Sequence, residues 1–437
     1  MSSWPKRRWG ASSAVVAGAA AVVLVVAGCS GAGSSSGGAS ATPSPPSSGA
    51  AASLASPSVE MPTASYTPPA DDQVTPAQDI VLNSIQPDAG VAPVVDFLNS
   101  ATSSIDISTY RIDTSFTPVV DALKAAVARG VPVRISISRQ LVGQDSPPAG
   151  NASQVQVADQ FNAMGIQTQL SRPEFHYGHE KAIIIDAGKP GAKAMISDWN
   201  LQASYFEPNA YGPVGARGFA VVDSNPDDVA MISAYFDANW PPFKPWPVSN
   251  RASLVWSPSG IEYSPVGNSV AVLTDFIDNS KKTLDIYAET IQDDSFLLQH
   301  VADRAKAGVK VRVIANSSGQ PPAAIEVLRK AGAQVKFDPT NAMAPDAVMY
   351  VHSKTMLSDV GEANQVAFVG SQNEFINESP EAILELGTLV KDKSTIDKIQ
   401  DTFNTDFSRS QDNQASPSAS TASSSSASSQ PSASSGG

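Results

Sequence analysis

The sequence is poor in several things that would each define a function class. Of its 437 residues one is a cysteine, Cys29, and four are histidines. A single thiol has no disulfide partner within the chain, so a disulfide-stapled scaffold is excluded. No metal-ligand cluster and no cofactor motif stands out, so neither a metal nor another cofactor is expected. Basic residues are scarce: 29 Lys and Arg stand against 42 Asp and Glu, for a formal net charge of −13. A protein that grips nucleic acid through its phosphates carries a basic footprint, and this chain has none overall. That counts against a non-specific nuclease, while leaving room for a local basic cleft. Long apolar runs are missing as well. The clearest, Ala14 to Val26, is well short of the roughly 20 residues that cross a bilayer.

What is present at the two ends is low in complexity. Lys6, Arg7 and Arg8 precede the Ala/Val/Leu run, which closes on Val26-Ala27-Gly28-Cys29. A positive start followed by a short apolar stretch reads as an export signal. The closing residues resemble the lipobox of bacterial lipoproteins, in which the chain is cleaved before the cysteine and that cysteine is acylated. Residues 1–29 are therefore expected to be a lipoprotein signal peptide with Cys29 as the lipidation site. The expected location is the extracytoplasmic face of the cell membrane. Residues 30–78 are Ser/Gly/Pro-rich, with too few large apolar side chains to repay ordering, and read as a tether. Residues 411–437 form a Ser/Ala-rich tail of the same kind.

Between these ends the chain says the same thing twice. Helical periodicity over Val91–Ala101 and Val119–Arg129 alternates with strand patterns over Ile105–Tyr110 and Val131–Ser138. The order recurs as helix Val266–Asn279, strand Leu284–Ala288, helix Phe296–Ala307 and strand Val309–Ala315. Ser104-Ile105-Asp106-Ile107 aligns with Thr283-Leu284-Asp285-Ile286, and Arg129-Gly130-Val131-Pro132-Val133-Arg134 with Ala307-Gly308-Val309-Lys310-Val311-Arg312. Such alternation predicts an α/β fold, here duplicated into halves 79–250 and 251–410.

The repeat is sharpest where side chains carry chemistry. His179, Lys181, Asp186 and Asn200 recur at the same spacing as His352, Lys354, Asp359 and Asn373. Residues two apart on a strand share a face, so His and Lys are expected to project into one site while Asp points the other way. An imidazole is a nucleophile or proton shuttle near neutral pH. Lysine and asparagine donors stabilise charge on phosphate oxygens. Two such sets supply a nucleophile on one side of phosphorus and an acid on the other.

These residues resemble the phospholipase D superfamily, whose signature is His-x-Lys-x4-Asp followed by Gly-Ser-x-Asn. The second copy matches fully through Gly370-Ser371-Gln372-Asn373, whereas the first has Ser197-Asp198 in place of Gly-Ser. The resemblance covers about three quarters of the chain. It implies two α-β-α sandwich halves packed as one bilobal unit, and metal-independent transfer through a phosphohistidine. On that basis His179 is the nucleophile and His352 the acid, with reversed roles also open. Lys181, Lys354, Asn200, Asn373 and Ser371 would hold the phosphate. The motif aspartates would be structural, and acids a short way past each asparagine, Glu207 and Glu381, would orient the imidazoles. Asp198 could repel phosphate unless it points away or pairs with a lysine, and Asp198→Ser is expected to preserve or raise activity. The expected substrate is a phospholipid at the membrane surface, cleaved or transferred at its headgroup diester. A nuclease of the same superfamily and a non-catalytic envelope scaffold are the alternatives. No protein partner is evident.

Overall fold

The computed structural model describes residues 79–141, 151–175, 177–206, 215–247, 250–259, 267–316, 320–338 and 349–412. The expected signal peptide, tether and Cys29, most of the tail, and also Glu207 and His176, lie outside them.

The first half runs β1 Ile80–Gln86, α1 Ala92–Asn99, β2 Ile105–Thr109, α2 Thr117–Ala128, β3 Val133–Ile137, α3 Ala152–Ala163, β4 Gln167–Leu170, β5 Lys181–Ile185, β6 Lys193–Ser197, β7 Gly215–Asp223 and α4 Pro226–Asn239. The second runs β8 Leu254–Ser257, α5 Ser269–Asp278, β9 Thr283–Ala288, α6 Phe296–Lys306, β10 Lys310–Ala315, α7 Pro322–Ala331 and β11 Gln334–Phe337. It continues through β12 Met349–Val351, β13 Met356–Ser358, β14 Val366–Gly370, α8 Glu378–Ala382, β15 Glu385–Val390 and α9 Lys393–Arg409. The helix-strand pairs expected from periodicity are all there, with ends moved by up to three residues.

The two sheets repeat one plan. The first has strand order β1-β7-β6-β5-β2-β3-β4, and the second β11-β10-β9-β13-β14-β15-β8. Helices α1, α2 and α3 cover the outer face of the first sheet with Leu98, Leu123 and Phe161, and α5, α6 and α7 cover the second with Leu273, Leu298 and Leu328. A third core lies between the sheets, where Phe219, Tyr235, Trp256, Tyr287 and Leu386 pack with the apolar face of α9. This layering is the duplicated α-β-α arrangement, closed into one bilobal body.

The sequence repeat is also a repeat of contacts. Arg134 bonds both oxygens of Asp106 at 2.6 and 2.8 Å, and Arg312 bonds both oxygens of Asp285 at 2.7 and 2.5 Å. Gly130 and Gly308 hold φ of 82° and 92° in the turns that feed β3 and β10, a conformation that side chains with a Cβ resist.

One feature breaks the separation of halves. Strand β12 belongs to the second half by sequence, yet it pairs in parallel with β7 of the first sheet. Arg217 on β7 is buried nearby. It bonds Asp406 of α9 at 2.7 Å, Asp88 at 2.6 Å and the Gln86 carbonyl at 2.7 Å. Tyr287 donates to the same Asp406 carboxylate at 2.7 Å.

Candidate active site

The chain crossings build the site. The His179 N–H donates to the Leu384 carbonyl at 2.7 Å, and the His352 N–H donates to the Arg217 carbonyl at 3.3 Å. Each motif histidine is thus tied by its backbone to the opposite half. Consequently the motifs do not lie wholly along strands. Strand β5 starts at Lys181 and β13 starts at Met356, because the histidine backbones have left their own sheet for a partner across the interface.

His179, His352, Asn200 and Asn373 line one cleft of about 460 Å³, walled also by Tyr110, Tyr177 and Tyr205. The Tyr110 ring meets His179 edge-to-face at 4.9 Å, and Tyr205 meets His352 in the same way at 4.6 Å. Trp199 and Phe375, close in sequence to the two asparagines, are packed in the cores.

The acid that orients His179 is Glu385, whose Oε1 lies 2.6 Å from Nδ1. Ser379 donates to the other oxygen at 2.6 Å. Burial pushes the Glu385 carboxyl well above its ordinary value, although Ser379, Lys181 and Lys354 pull it down. Glu381 is exposed on α8 and makes no part of this contact. The correction has a geometric cause. The chain spends the residues after Asn373 on α8 and re-enters the sheet only at Glu385, so the acid comes later than a short spacing allows.

The lysines lie under the histidines. Lys181 Nζ donates to the His179 carbonyl at 2.8 Å, and Lys354 Nζ to the His352 carbonyl. Lys354 also pairs with Glu289, which stands 3.6 Å from His352 Nε2. Burial, then Lys354, lowers the pKa of Lys181 strongly. Burial and the lysines likewise hold both imidazoles well below their usual value. A phosphate anion between the lysines would relieve both effects, since an opposite charge favours the protonated forms.

Asn200 Nδ2 bonds the Tyr205 hydroxyl at 2.9 Å, and the amide oxygens of Asn200 and Asn373 have no partner among the described residues. Amide oxygen and nitrogen have the same shape, and a hydroxyl both donates and accepts. Turned over, Asn200 keeps its bond to Tyr205 and presents NH₂ for a phosphate oxygen. Ser371 differs from expectation. It is fully buried and its hydroxyl bonds back to Leu386, so it does not face the cleft.

Asp186 and Asp359, each one residue past the end of its strand, turn away from the cleft. Asp186 accepts from the N–H groups of Thr102, Ser103 and Ser104, and Asp359 from those of Lys281, Lys282 and Thr283. Both adopt positive φ, 57° and 51°. Their role is to lock the turn that enters β2 or β9. His300 pairs with Asp278 at 3.0 Å near a helix surface, away from the site.

Asp198 is not among the residues that line the cleft. Its side chain is fully buried and accepts from Phe219 N–H at 2.8 Å, Ser353 Oγ at 2.6 Å and Thr355 Oγ1 at 3.3 Å.

The sequence profile of the family described as cardiolipin synthase, PLD-like domain, matches residues 94–240 and 273–407. No curated protein matches the chain by sequence. Among solved structures, phosphatidylserine synthase from Haemophilus influenzae Rd KW20 is similar at 12% identity, covering 76% of this chain and 86% of that one, with a TM-score of 0.54. Polyphosphate kinase from Porphyromonas gingivalis is similar at 16% identity, covering 72% of this chain, with a TM-score of 0.52. The chain spans 44% of that kinase's length. Each profile match carries one His/Lys/Asn set, and the two sets share one cleft. The chain therefore belongs to the family of cardiolipin synthase, PLD-like domains, within the phospholipase D superfamily.

Proposed function

We propose that the chain cleaves the headgroup diester of phospholipids and passes the phosphatidyl group to water or to an alcohol. The observation that carries this reading is the pairing of unequal histidines in one cleft, His179 on the Glu385 carboxylate and His352 opposite. With Nδ1 committed to Glu385, Nε2 of His179 is the nitrogen left to meet phosphorus. Its lone pair forms the N–P bond as the P–O bond to the leaving alcohol breaks, and protonated His352 gives that oxygen its proton. Neutral His352 then takes a proton from water or from an acceptor alcohol, whose oxygen displaces His179. Lys181, Lys354 and the asparagine amides balance the charge on the non-bridging oxygens in both steps. The acidic side chains at the cleft, Glu289, Glu378 and Glu385, favour a single diester over a polyanion. An acyl anchor on Cys29 would hold the enzyme beside such a substrate.

The test is a panel of phospholipids with and without ethanol, read for free headgroup and for phosphatidylethanol. Turnover is expected in the wild type and is expected to vanish in His179→Ala and His352→Ala while both stay folded. Full activity in either variant refutes the assignment. Cleavage of DNA with all lipids left intact would move the substrate class to nucleic acid.

A further inference from the structure

Asp198 fills a position that the other half treats differently, and the register of the sheets makes the comparison residue by residue. Ser197 pairs with Ala220 in the first sheet, and Gly370 pairs with Gly387 in the second. Asp198 N–H donates to Phe219 O and Ser371 N–H to Leu386 O, at 3.2 and 3.1 Å. Phe219 N–H returns to the Asp198 carboxylate, and Leu386 N–H to the Ser371 hydroxyl. Asp198 is thus the counterpart of Ser371, and Gly218 the counterpart of Glu385. The crossings agree. Leu384, just before Glu385, holds the His179 backbone, and Arg217, just before Gly218, holds that of His352.

The first half has therefore lost the acid at the place next to His352 and gained one on the neighbouring strand. The two changes are sterically linked, because a Cβ on Gly218 would stand 2.5 Å from Asp198 Oδ1, its nearest neighbour, with Trp199 Cδ1 next at 2.9 Å. A third change accompanies them. The residues flanking Lys354 are Ser353 and Thr355, both donating to Asp198, whereas those flanking Lys181 are Glu180 and Ala182. Hydroxyl donors occur only in the motif that faces the relocated carboxylate.

We infer that Asp198 is a positioning residue for the second motif, replacing the acid missing at Gly218 by gripping Ser353 and Thr355 and so aiming His352 and Lys354. This rests on the reading that both motifs serve one diester site. It also reverses the expectation that serine would serve as well at 198. Burial pushes the Asp198 carboxyl up to about 6, against the pull of Ser353 and Lys354.

Four variants test the idea with bis(4-nitrophenyl) phosphate as a headgroup-free diester: Asp198→Ser, Asp198→Asn, Gly218→Glu, and the Asp198→Ser/Gly218→Glu pair. Both Asp198 variants are expected to lose tenfold or more in kcat with little change in KM. Gly218→Glu alone is expected to misfold or inactivate, because two carboxylates contend for one space. The pair is expected to recover at least part of the loss by restoring the arrangement seen at His179. Nuclear magnetic resonance titration of the His352 ring, which faces Lys354, Lys181, His179 and Glu289, supplies a readout independent of turnover. Its pKa is expected to fall in Asp198→Ser, where Lys354 loses a countercharge, and to rise in the pair. Wild-type kcat and an unmoved His352 titration in a folded Asp198→Asn or Asp198→Ser would overturn the inference. So would a folded pair no better than Asp198→Ser. A wild type inert on all diesters would instead count against the proposed function, and the His352 titration would still decide the role of Asp198.

Discussion

Replacing Glu385 by Gln keeps the side chain's shape and an acceptor for His179 Nδ1, but removes the charge. A hydrogen bond to a charged group contributes about 1.5–3 kcal/mol and one to a neutral group about 0.5–1.5 kcal/mol, so the exchange removes about 1–1.5 kcal/mol. At 1.36 kcal/mol per decade, losing that difference from the transition state slows the first step about 5- to 13-fold. The loss should appear in single-turnover formation of the phosphohistidine, measured by quenching with labelled substrate. The pH profile gives a second handle. An ionised Glu385 can only accept and so holds the proton on Nδ1, whereas a protonated carboxyl can also donate to Nδ1 and so leave the proton on Nε2, the attacking nitrogen. Burial raises the Glu385 pKa well above the ordinary carboxylate value. The wild-type first-step rate should therefore climb as pH rises through that raised value, and this acid limb should be absent in the variant. A Glu385→Gln enzyme with the wild-type rate, or with the acid limb intact, would refute the orientation argument.

Stability offers further checks. Asp359→Asn weakens the lock on three backbone N–H groups and should cost about 1–3 kcal/mol in denaturant unfolding. Burial raises the Asp359 carboxyl, but the bonds from Lys282, Thr283 and Lys281 outweigh it and hold the group below its usual value. Its contribution is thus complete above the unfolded carboxyl pKa and is lost as pH falls through the folded one. The variant should accordingly lose less stability on acidification than the wild type. Arg217→Met removes the buried cation of the Asp406 carboxylate and leaves it the partly exposed Arg409, and a broken buried pair costs about 3–5 kcal/mol. A denaturation midpoint unchanged by that substitution would mean that α9 is held by its apolar face alone.

The doubled His/Lys/Asn sets were legible because their spacing repeats, and repetition survives any local irregularity. The helices and strands of both halves were legible for a related reason, since α1, α2, α5 and α6 each bury one clear face. Glu385 was not, because its distance from Asn373 depends on the α8 excursion, which spacing does not encode. One signal could have found it: a glutamate opening the otherwise uncharged run Leu386-Gly387-Thr388-Leu389-Val390. Glu289 was missed in the same way, as a lone acid just past the end of β9. The tyrosines around the cleft carried no periodic signature at all. Nor did the sequence foretell that β12 would join the other sheet, because a three-residue strand has no pattern that names its partner.

That displaced strand has a consequence in time. The cleft depends on contacts such as Arg217 to Asp406, separated by 189 residues, and on Glu385 reaching His179 across 206. Closing such loops is entropically costly and slow compared with forming a local hairpin. A chain emerging from its N-terminal end can assemble β1 to β7 early, but the edge of β7 that receives β12 stays bare until the second half arrives. No fragment ending before His352 contains both motif histidines. The cleft is therefore incomplete until the second half has been made.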